Sequence, residues 1–178
     1  MTADDACAVA HGTATEAPAE AGTGVRALVA VFATPVAGFL LRYGSDLGYR
    51  SILVEPDPGR AAGAAMAGLD VRAEIPEGLD DADVVVTDHH RDELGPMLRD
   101  ALAVKTRWIG VMGNPRHPAP HIPALRELGV GEDQIARVHR PIGLNIGSRR
   151  PPEIAIATIA GLLADRNDRP GGFEFARP

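Results

Sequence analysis

Short apolar runs recur along this sequence, and segments with helical character separate them. The clearest runs are VRALVAVF at 25–32, SILVE at 51–55, ADVVVTD at 82–88 and RWIGVMG at 107–113. Each run is almost wholly apolar instead of alternating with polar residues, which is typical of strands buried on both faces of a parallel sheet. Strands that alternate with helices predict an α/β fold, a Rossmann-like doubly wound parallel sheet in three layers.

The segments between these runs carry the start and stop signals of helices. Pro35 suits the first turn of a helix, where its missing N–H costs nothing, and Gly48 suits the end of that helix. Further helices are expected at about 60–67, 91–103 and 151–165, and in the second half of the proline-rich stretch 115–128. LDVRAEI at 69–75 is expected to be a short third strand, and 139–150 a loop.

The organised part of the chain is expected to be one domain over residues 25–167, which is long enough to bury a core. Residues 1–24 are rich in Ala, Thr, Glu and Gly and show no sustained period, which predicts a disordered leader. Residues 168–178 are expected to form a loose tail.

Composition narrows the classes of function. The formal net charge of −6 and the lack of a basic patch argue against a nucleic-acid partner. No apolar run reaches the roughly 18 residues of a membrane span, and no charged leader precedes an apolar segment. We therefore expect no membrane span and no secretory signal, and the cytoplasm is the expected compartment. The single cysteine, Cys7, excludes an internal disulfide.

The turn after the first strand lacks the glycines of a dinucleotide site. A G-x-G-x-x-A pattern would fall on Phe32, Thr34 and Ala37, and only the last of these is small. The side chains of Phe32 and Thr34 are expected to fill the space that phosphates would need. Glu55 follows Thr34 at the spacing of about 20 residues that is typical of the acid on a ribose. The turn is either an altered cofactor site or a plain connection, and Glu55 stays a candidate ligand residue.

Polar residues follow the fourth strand directly. Thr87, Asp88 and His89 stand where the carboxyl end of a strand would present them to a ligand, and His90 comes next. Histidine in such a loop can form hydrogen bonds or transfer a proton. A histidine pair without a third ligand at a defined spacing is poor support for zinc, so no metal site is expected.

Two later loops combine glycine with arginine. They contribute the candidate residues Gly110, Gly113, Asn114 and Arg116 after the fifth strand, and Gly143, Asn145, Gly147 and Arg149 before the final helix. Glycines allow backbone N–H groups to approach an anion closely, and arginine can form paired hydrogen bonds with phosphate. The alternative is that both segments are plain glycine-rich connectors. Any anionic ligand is expected here and not at the first turn.

Three segments resemble a known family: TDHHRDEL, WIGVMGNPRH and HRPIGLNIGSRRPPEIAIATIA. They are similar to the Rossmann-type C-terminal domain of the XdhC/CoxI proteins, which are accessory proteins of xanthine dehydrogenase and carbon monoxide dehydrogenase. The resemblance covers about 25–165. It implies the handling of the molybdenum cofactor, a pterin dithiolene with a phosphate, and its transfer into a molybdenum hydroxylase. The matching positions are Thr87, Gly110, Gly113, Arg116, Pro141, Gly143, Gly147 and Glu153.

The sequence departs from the family pattern at several places. The family's first turn usually reads G-A-G, and no glycine stands between 32 and 37 here. GNPR replaces the usual G-S-R-R, and RPPE replaces T-P-E-E at the start of the final helix. Arg150 therefore stands where the family has a capping threonine. Loss of that cap is expected to cost about 1 kcal/mol of stability unless Ser148 or water bonds the free N–H groups. The resemblance does not extend to the family's N-terminal domain with its cysteine, and Cys7 has no matching context.

These observations lead to one main functional hypothesis and two alternatives. The main hypothesis is a non-catalytic accessory protein without catalytic residues, a homodimer whose partner is a molybdenum hydroxylase or a separate XdhC N-terminal-type protein. One alternative is an NAD(P)-dependent oxidoreductase with a divergent phosphate loop. The other is a degenerate Rossmann module that serves only for dimerisation.

Overall fold

The computed structural model describes residues 26–114, 116 and 118–171. The leader expected over 1–24 and residues 172–178 of the expected tail lie outside the described residues. Six strands are described: β1 (Ala27–Val31), β2 (Arg50–Val54), β3 (Val71–Arg72), β4 (Asp83–Val86), β5 (Trp108–Val111) and β6 (Val138–His139). The helices described are α1 (Pro35–Asp46), α2 (Pro58–Met66), α3 (Leu94–Ala103), α4 (His121–Glu127), α5 (Glu132–Ile135) and α6 (Pro151–Arg166).

The strands form one sheet in the order β3-β2-β1-β4-β5-β6, and every neighbouring pair is parallel. The predicted Rossmann-like doubly wound sheet is therefore confirmed. The chain runs outward from β1 to β3, then returns to the other side of β1 with β4. Doubly wound folds bind ligands at the carboxyl ends of the strands beside such a switch point.

The core lies on both faces of the sheet, as the continuous apolar strands require. Val29, Val31, Val84 and Val86 face the α3 side and are fully buried together with Leu98. The opposite face of β1, β2 and β4 packs against α1 and α6, which are also in contact with each other. Helix α6 is thereby fixed beside the carboxyl edge of the sheet.

The ends of helix α1 follow the sequence signals. Pro35 occupies the first turn, and the Thr34 hydroxyl accepts a hydrogen bond from the Ala37 N–H at 3.1 Å. Gly48 follows the helix with φ of 80°, in the left-handed region that glycine adopts without strain. The prediction of this helix is confirmed at both ends.

Strand β6 and the short helix α5 are elements that the sequence did not predict, and β6 is the one that bears on the site. Strand β6 begins at Val138 and overlaps the first residue of the segment expected to be a loop. Two residues are too few to give a periodic pattern, so only the pairing with β5 identifies them as a strand. Because β6 is parallel to β5, the loop that follows it starts at the carboxyl edge of the sheet.

A charged cluster ties α6 to the opposite edge of the sheet. Asp83, at the start of β4, is fully buried and lies 2.7 Å from Nε of Arg107 and 2.9 Å from Nε of Arg166. Burial raises the pKa of Asp83, and the two arginines oppose that shift. This buried ion cluster fixes the C-terminal end of α6, whose other end borders the cavity described next.

Candidate functional site

A cavity of about 740 Å3 opens at the carboxyl edge of the sheet. It lies beside the ends of β4 and β5, between the turn after β5 and the loop after β6, and one side of α6 closes it. Its lining residues are Val36, Thr87, His89, Met112–Asn114, Arg116, Pro141–Arg149, Ile154, Ala157 and Thr158. The structure therefore brings together most of the site residues expected from the sequence.

Three of the expected site residues do not line this cavity. They are Glu55, Asp88 and Gly110. The Asp88 carboxylate accepts a hydrogen bond from the His90 N–H at 2.9 Å, so it shapes the loop after β4. Gly110 is buried within β5, where a Cβ atom would come within 2.1 Å of the Trp108 ring. Glycine is therefore needed here for packing against Trp108, and it does not serve to bring the backbone close to a ligand.

Glu55 is a buried acid with internal partners. Its carboxylate accepts hydrogen bonds from the Ala33 N–H at 2.7 Å and the Asp57 N–H at 3.0 Å, and Arg91 forms an ion pair with it at 3.1 Å. The side chain is 0% exposed. These contacts hold the turn after β1 and the segment after β2, so Glu55 offers no free oxygen to a ribose in this arrangement.

Phe32 takes the backbone conformation of the glycine it replaces. Its φ is 76°, in the left-handed region where a bulky residue is strained. Its ring is fully buried in the core, and the Arg91 guanidinium lies 4.8 Å from the ring centroid. The expectation that the phenyl ring fills the space needed by phosphates is therefore wrong, because the ring turns inward instead.

Hydrogen bonding nevertheless occupies two of the donors of this first turn, while the N–H groups of Thr34 and Val36 have no partner within the described residues. The Ala33 N–H is bonded to Glu55, the Ala37 N–H is bonded to the Thr34 hydroxyl, and Pro35 has no N–H. A cavity of about 270 Å3 borders the turn on the side of β2 and α2. Within the described residues, this turn has fewer free donors for a pyrophosphate than a glycine-rich loop would have.

Thr87 joins the first turn to the main cavity. Its hydroxyl lies 3.0 Å from the carbonyl oxygens of Val31 and Phe32 and 3.0 Å from the hydroxyl of Thr34. One proton is donated to a carbonyl, and the oxygen accepts from Thr34. Thr87 therefore lines the cavity, but its hydroxyl already donates and accepts hydrogen bonds within the protein.

His89 is a half-buried histidine in the cavity wall. Its ring lies 4.1 Å from the ring of His90. Burial lowers the pKa of His89, and the nearby positive potential of His90 and Arg140 lowers it further, while Asp88 and a hydrogen-bonding interaction with the Met112 backbone act in the opposite direction. The imidazole is therefore mainly neutral at neutral pH, with one nitrogen as a donor and the other as an acceptor.

The cavity glycines serve different purposes. At Gly113 a Cβ atom would lie 2.6 Å from Arg140 Nε, and at Gly143 it would lie 3.1 Å from the backbone nitrogen of Thr158. Gly143 is thus required by the close backbone of α6, whereas a side chain at Gly113 would have to displace the Arg140 guanidinium. Gly147 differs, because its φ is 69° and a Cβ atom there would meet nothing within 4 Å. Only at Gly147 does the backbone curve toward open space.

The loop before α6 offers unpaired backbone donors. Within residues 118–171, the N–H groups of Asn145, Gly147, Ser148 and Arg149 make no hydrogen bond, whereas the Leu144 N–H donates to Ala157. Unpaired N–H groups on a curved backbone are a common way to bind an anion. The loop can therefore provide several donors at the mouth of the cavity.

The start of α6 has few N–H donors and no side-chain cap. Pro151 and Pro152 have no N–H, and the Ser148 hydroxyl accepts from the Arg150 N–H at 3.1 Å. The same hydroxyl donates to the Glu153 carboxylate. Ser148 therefore bonds the N–H of the capping residue itself and does not replace the missing cap, and the two prolines leave the helix end with fewer donors for an anion than the loop has.

Two arginines stand at the mouth of the cavity. Arg116 and Arg149 are both exposed, and neither forms a side-chain hydrogen bond or ion pair within the described residues. Asn114 accepts from the Arg116 N–H at 2.9 Å, which shapes the turn after β5. Arg140 donates to the Asn114 carbonyl at 3.0 Å from below the turn.

Several lining residues had no clear signal in the sequence. Val36 comes from α1, and Ile154, Ala157 and Thr158 come from α6. Their apolar or small side chains look like ordinary core positions in a helical pattern. Only the packing of α6 on the loop after β6 reveals that one of its sides borders a cavity.

Residues 26–114, 116 and 118–171 contain neither a metal centre nor a membrane span. No group of three His, Cys, Asp or Glu residues there could hold a metal ion. In that same part of the chain, no helix has the length and apolar character needed to cross a membrane.

The fold and the cavity define a Rossmann-type α/β domain with an open site at its late loops. The sequence model of the XdhC Rossmann domain matches residues 28–162, so the chain belongs to the XdhC Rossmann domain family. The resemblance inferred from the three quoted segments is confirmed.

Two relatives show the extent of the similarity. The uncharacterized protein YqeB of Escherichia coli K12 is 36% identical over 111 residues, which are 62% of this chain and 19% of that protein. A xanthine dehydrogenase of Bacillus halodurans has a solved structure that superposes with a TM-score of 0.61 at 21% identity, covering 81% of this chain and 45% of that one. The chain therefore spans less than half the length of each of these relatives.

Proposed function

We propose that this domain is a non-catalytic accessory module that holds the molybdenum cofactor for a molybdenum hydroxylase. Membership of the XdhC Rossmann family supports the accessory role, and the xanthine dehydrogenase name of the structural relative supports the link to that class of enzyme. The observation that carries the proposal is the cavity itself. Free N–H donors and two exposed arginines meet at its mouth, at the carboxyl edge of the sheet.

The residues of the cavity fit a pterin that bears a phosphate. A volume of about 740 Å3 falls in the range of small-molecule sites. The N–H groups of Gly147, Ser148 and Arg149, with the guanidinium groups of Arg149 and Arg116, would hold the phosphate. Once delivered, the cofactor supplies the hydroxylase with its redox metal centre. The residues of this chain bind and orient the cofactor, and no reacting group is required of them.

The partner is proposed to be a molybdenum hydroxylase or a separate protein of the XdhC N-terminal type, and the domain is proposed to act as a homodimer in the cytoplasm. Complex formation is measurable by co-purification of a tagged domain with its cognate hydroxylase. Retention of the hydroxylase on the tagged domain, lost when the hydroxylase is omitted or exchanged for an unrelated enzyme, would support this assignment. A domain that binds neither partner would contradict it.

An NAD(P)-dependent oxidoreductase is the alternative that the fold itself suggests. Against it stand the internal bonds of Glu55 and the occupied donors of the first turn. A doubly wound fold that binds a dinucleotide uses these same groups for ribose and pyrophosphate. The first turn therefore supports the accessory role in preference to a dinucleotide enzyme.

The proposal is tested by titrating the protein with two fluorescent probes, a phosphorylated pterin and NADH. We expect saturable binding of the phosphorylated pterin and none of NADH at the same concentrations. Saturation by NADH with no response to the pterin would overturn the proposal in favour of the oxidoreductase.

Gly147→Val gives the matched test of the site, because valine strains the backbone and places a side chain where the phosphate would approach. Gly129 has φ of 75° and open space around it, so Gly129→Val imposes the same strain away from the cavity. We expect Gly147→Val to weaken pterin binding by about tenfold or more, the loss of one charge-assisted hydrogen bond. Gly129→Val should leave the affinity unchanged. Equal effects of the two variants would contradict a site at Gly147.

A further inference from the structure

The cavity has two chemically different regions. Its inner wall is formed by half-buried or buried residues, and its mouth by exposed ones. The inner apolar residues are Val36, Met112, Ile142, Leu144, Ile154 and Ala157. The exposed polar residues of the mouth are Asn114, Arg116, Asn145 and Arg149. A ligand that fits both regions has an uncharged, flat part and an anionic part.

The polar side chains of the inner wall are mostly satisfied within the protein. Thr87 donates to a backbone carbonyl and accepts from Thr34. The Thr158 hydroxyl donates to the Ile154 carbonyl at 2.9 Å. His89 is different, because the hydrogen-bonding interaction of its ring within the described residues is with the backbone of Met112 alone, which leaves one ring nitrogen for a ligand.

The His89 ring lies in the cavity wall at the carboxyl edge of the sheet. It follows the end of β4 after Thr87 and Asp88. The ring nitrogen that does not face the Met112 backbone can form one hydrogen bond, which suits an N–H or amino group along the edge of a pterin or purine. The apolar residues around it would cover the faces of such a ring.

We propose that His89 is the binding residue that recognises the uncharged heterocyclic head of the ligand, while Arg149 and the loop N–H groups hold its phosphate at the mouth. This inference rests on the proposed function and adds to it the direction in which the ligand enters. The ligand class is a flat heterocycle with an amide-like edge that is joined to a single phosphate. The head enters first and the phosphate stays near solvent.

The test uses two probes that differ only in the phosphate: a phosphorylated pterin and the same pterin without it. His89→Ala is expected to weaken the binding of both probes by the same factor, about three- to tenfold, because one neutral hydrogen bond is lost. Arg149→Ala is expected to weaken the phosphorylated probe alone, by about tenfold or more. The ratio of the two affinities therefore stays constant in the first variant and collapses in the second.

The chain supplies matched controls for both positions. His90→Ala removes the neighbouring exposed histidine, which does not line the cavity. Arg150→Ala removes an arginine whose side chain is 77% exposed and pairs with Glu153 instead. Both controls should bind each probe within about twofold of the original protein. His89→Asn, whose amide also offers a donor and an acceptor, should recover part of the affinity if His89→Ala loses it.

The outcomes separate this inference from the proposed function. If the original protein binds the phosphorylated pterin but His89→Ala changes neither affinity, or only that of the phosphorylated probe, the role of His89 is refuted and the proposed function stands. If the original protein binds neither probe, the proposed function fails and the inference fails with it. Thermal unfolding of each variant shows whether a loss of binding comes from a loss of the fold, and recovery in His89→Asn excludes that cause.

Discussion

Replacement of Glu55 by alanine distinguishes a structural acid from a cofactor ligand. The carboxylate is 0% exposed and binds two backbone N–H groups and one guanidinium. In Glu55→Ala the N–H groups of Ala33 and Asp57 lose their acceptors, and Arg91, whose side chain is 11% exposed, loses a buried counter-charge. We expect a large loss of stability and no specific loss of ligand affinity.

The size of the loss follows from the contacts. Breaking a buried ion pair by removing one partner costs about 3–5 kcal/mol, and each buried donor left without an acceptor costs about 1–3 kcal/mol. The contributions overlap, because Arg91 retains its 3.0 Å pair with Glu93, so about 3–5 kcal/mol is the expected total. For a chain of this length that corresponds to a fall in Tm of about 6–20 °C.

Unfolding in urea, followed by far-UV circular dichroism and by the fluorescence of the single tryptophan, Trp108, measures this change. Glu132→Ala is the control, because it breaks an ion pair with Arg126 whose side chains are 57% and 66% exposed, and no measurable change is expected. A Glu55→Ala protein that keeps its stability within about 0.5 kcal/mol of the original would refute the structural role.

Three further predictions concern other parts of the chain. Thr34→Ala removes the cap of α1 on the Ala37 N–H and should cost about 0.5–2 kcal/mol in urea unfolding, with no change in pterin affinity. The Arg166 side chain is 9% exposed and forms an ion pair with the buried Asp83. Arg166→Ala removes this partner, so calorimetry should show a loss of about 3–5 kcal/mol in the free energy of unfolding. Burial lowers the pKa of His121 from its usual 6.5, so the His121 imidazole binds a proton more readily in the unfolded chain than in the folded one. The free energy of unfolding should then fall as the pH drops below about 6.5, and His121→Gln should reduce that dependence in a pH series of urea titrations.

The sheet was predictable because its central strands are apolar along their whole length. Strands β1, β2, β4 and β5 are almost entirely buried on both faces, and a run of valines and leucines signals that burial directly. β6 has only two residues and is recognisable through its pairing with β5 alone. The cavity depends on β6, because this strand brings the loop before α6 to the carboxyl edge.

The late-loop residues could be grouped from the sequence because parallel strands present their carboxyl ends at one edge. The roles of their glycines could not be separated in the same way. Gly113 and Gly143 are confined by Arg140 and by the backbone of α6, while Gly147 faces open space. These contacts cannot be predicted from the spacing of residues along the chain, because each partner is distant in sequence or belongs to another element.

The first turn shows why a local motif can mislead. Phe32 retains the positive φ of a glycine, but its ring packs in the core against Arg91, which belongs to the segment after β4. Glu55 stands at the spacing of a ribose acid, yet the same Arg91 neutralises it. A single long-range arginine therefore determines both positions, and no local pattern around the turn indicates it.

The central claim is that an anionic ligand binds at the loop before α6 and not at the turn after β1. Backbone ¹⁵N–¹H correlation spectra during a titration with phosphorylated pterin test it most directly. We expect the largest shifts at the N–H groups of Gly147, Ser148 and Arg149, with little change at Ala33 and Ala37. Large shifts at Ala33 and Ala37 with an unaffected Gly147–Arg149 segment would contradict the account.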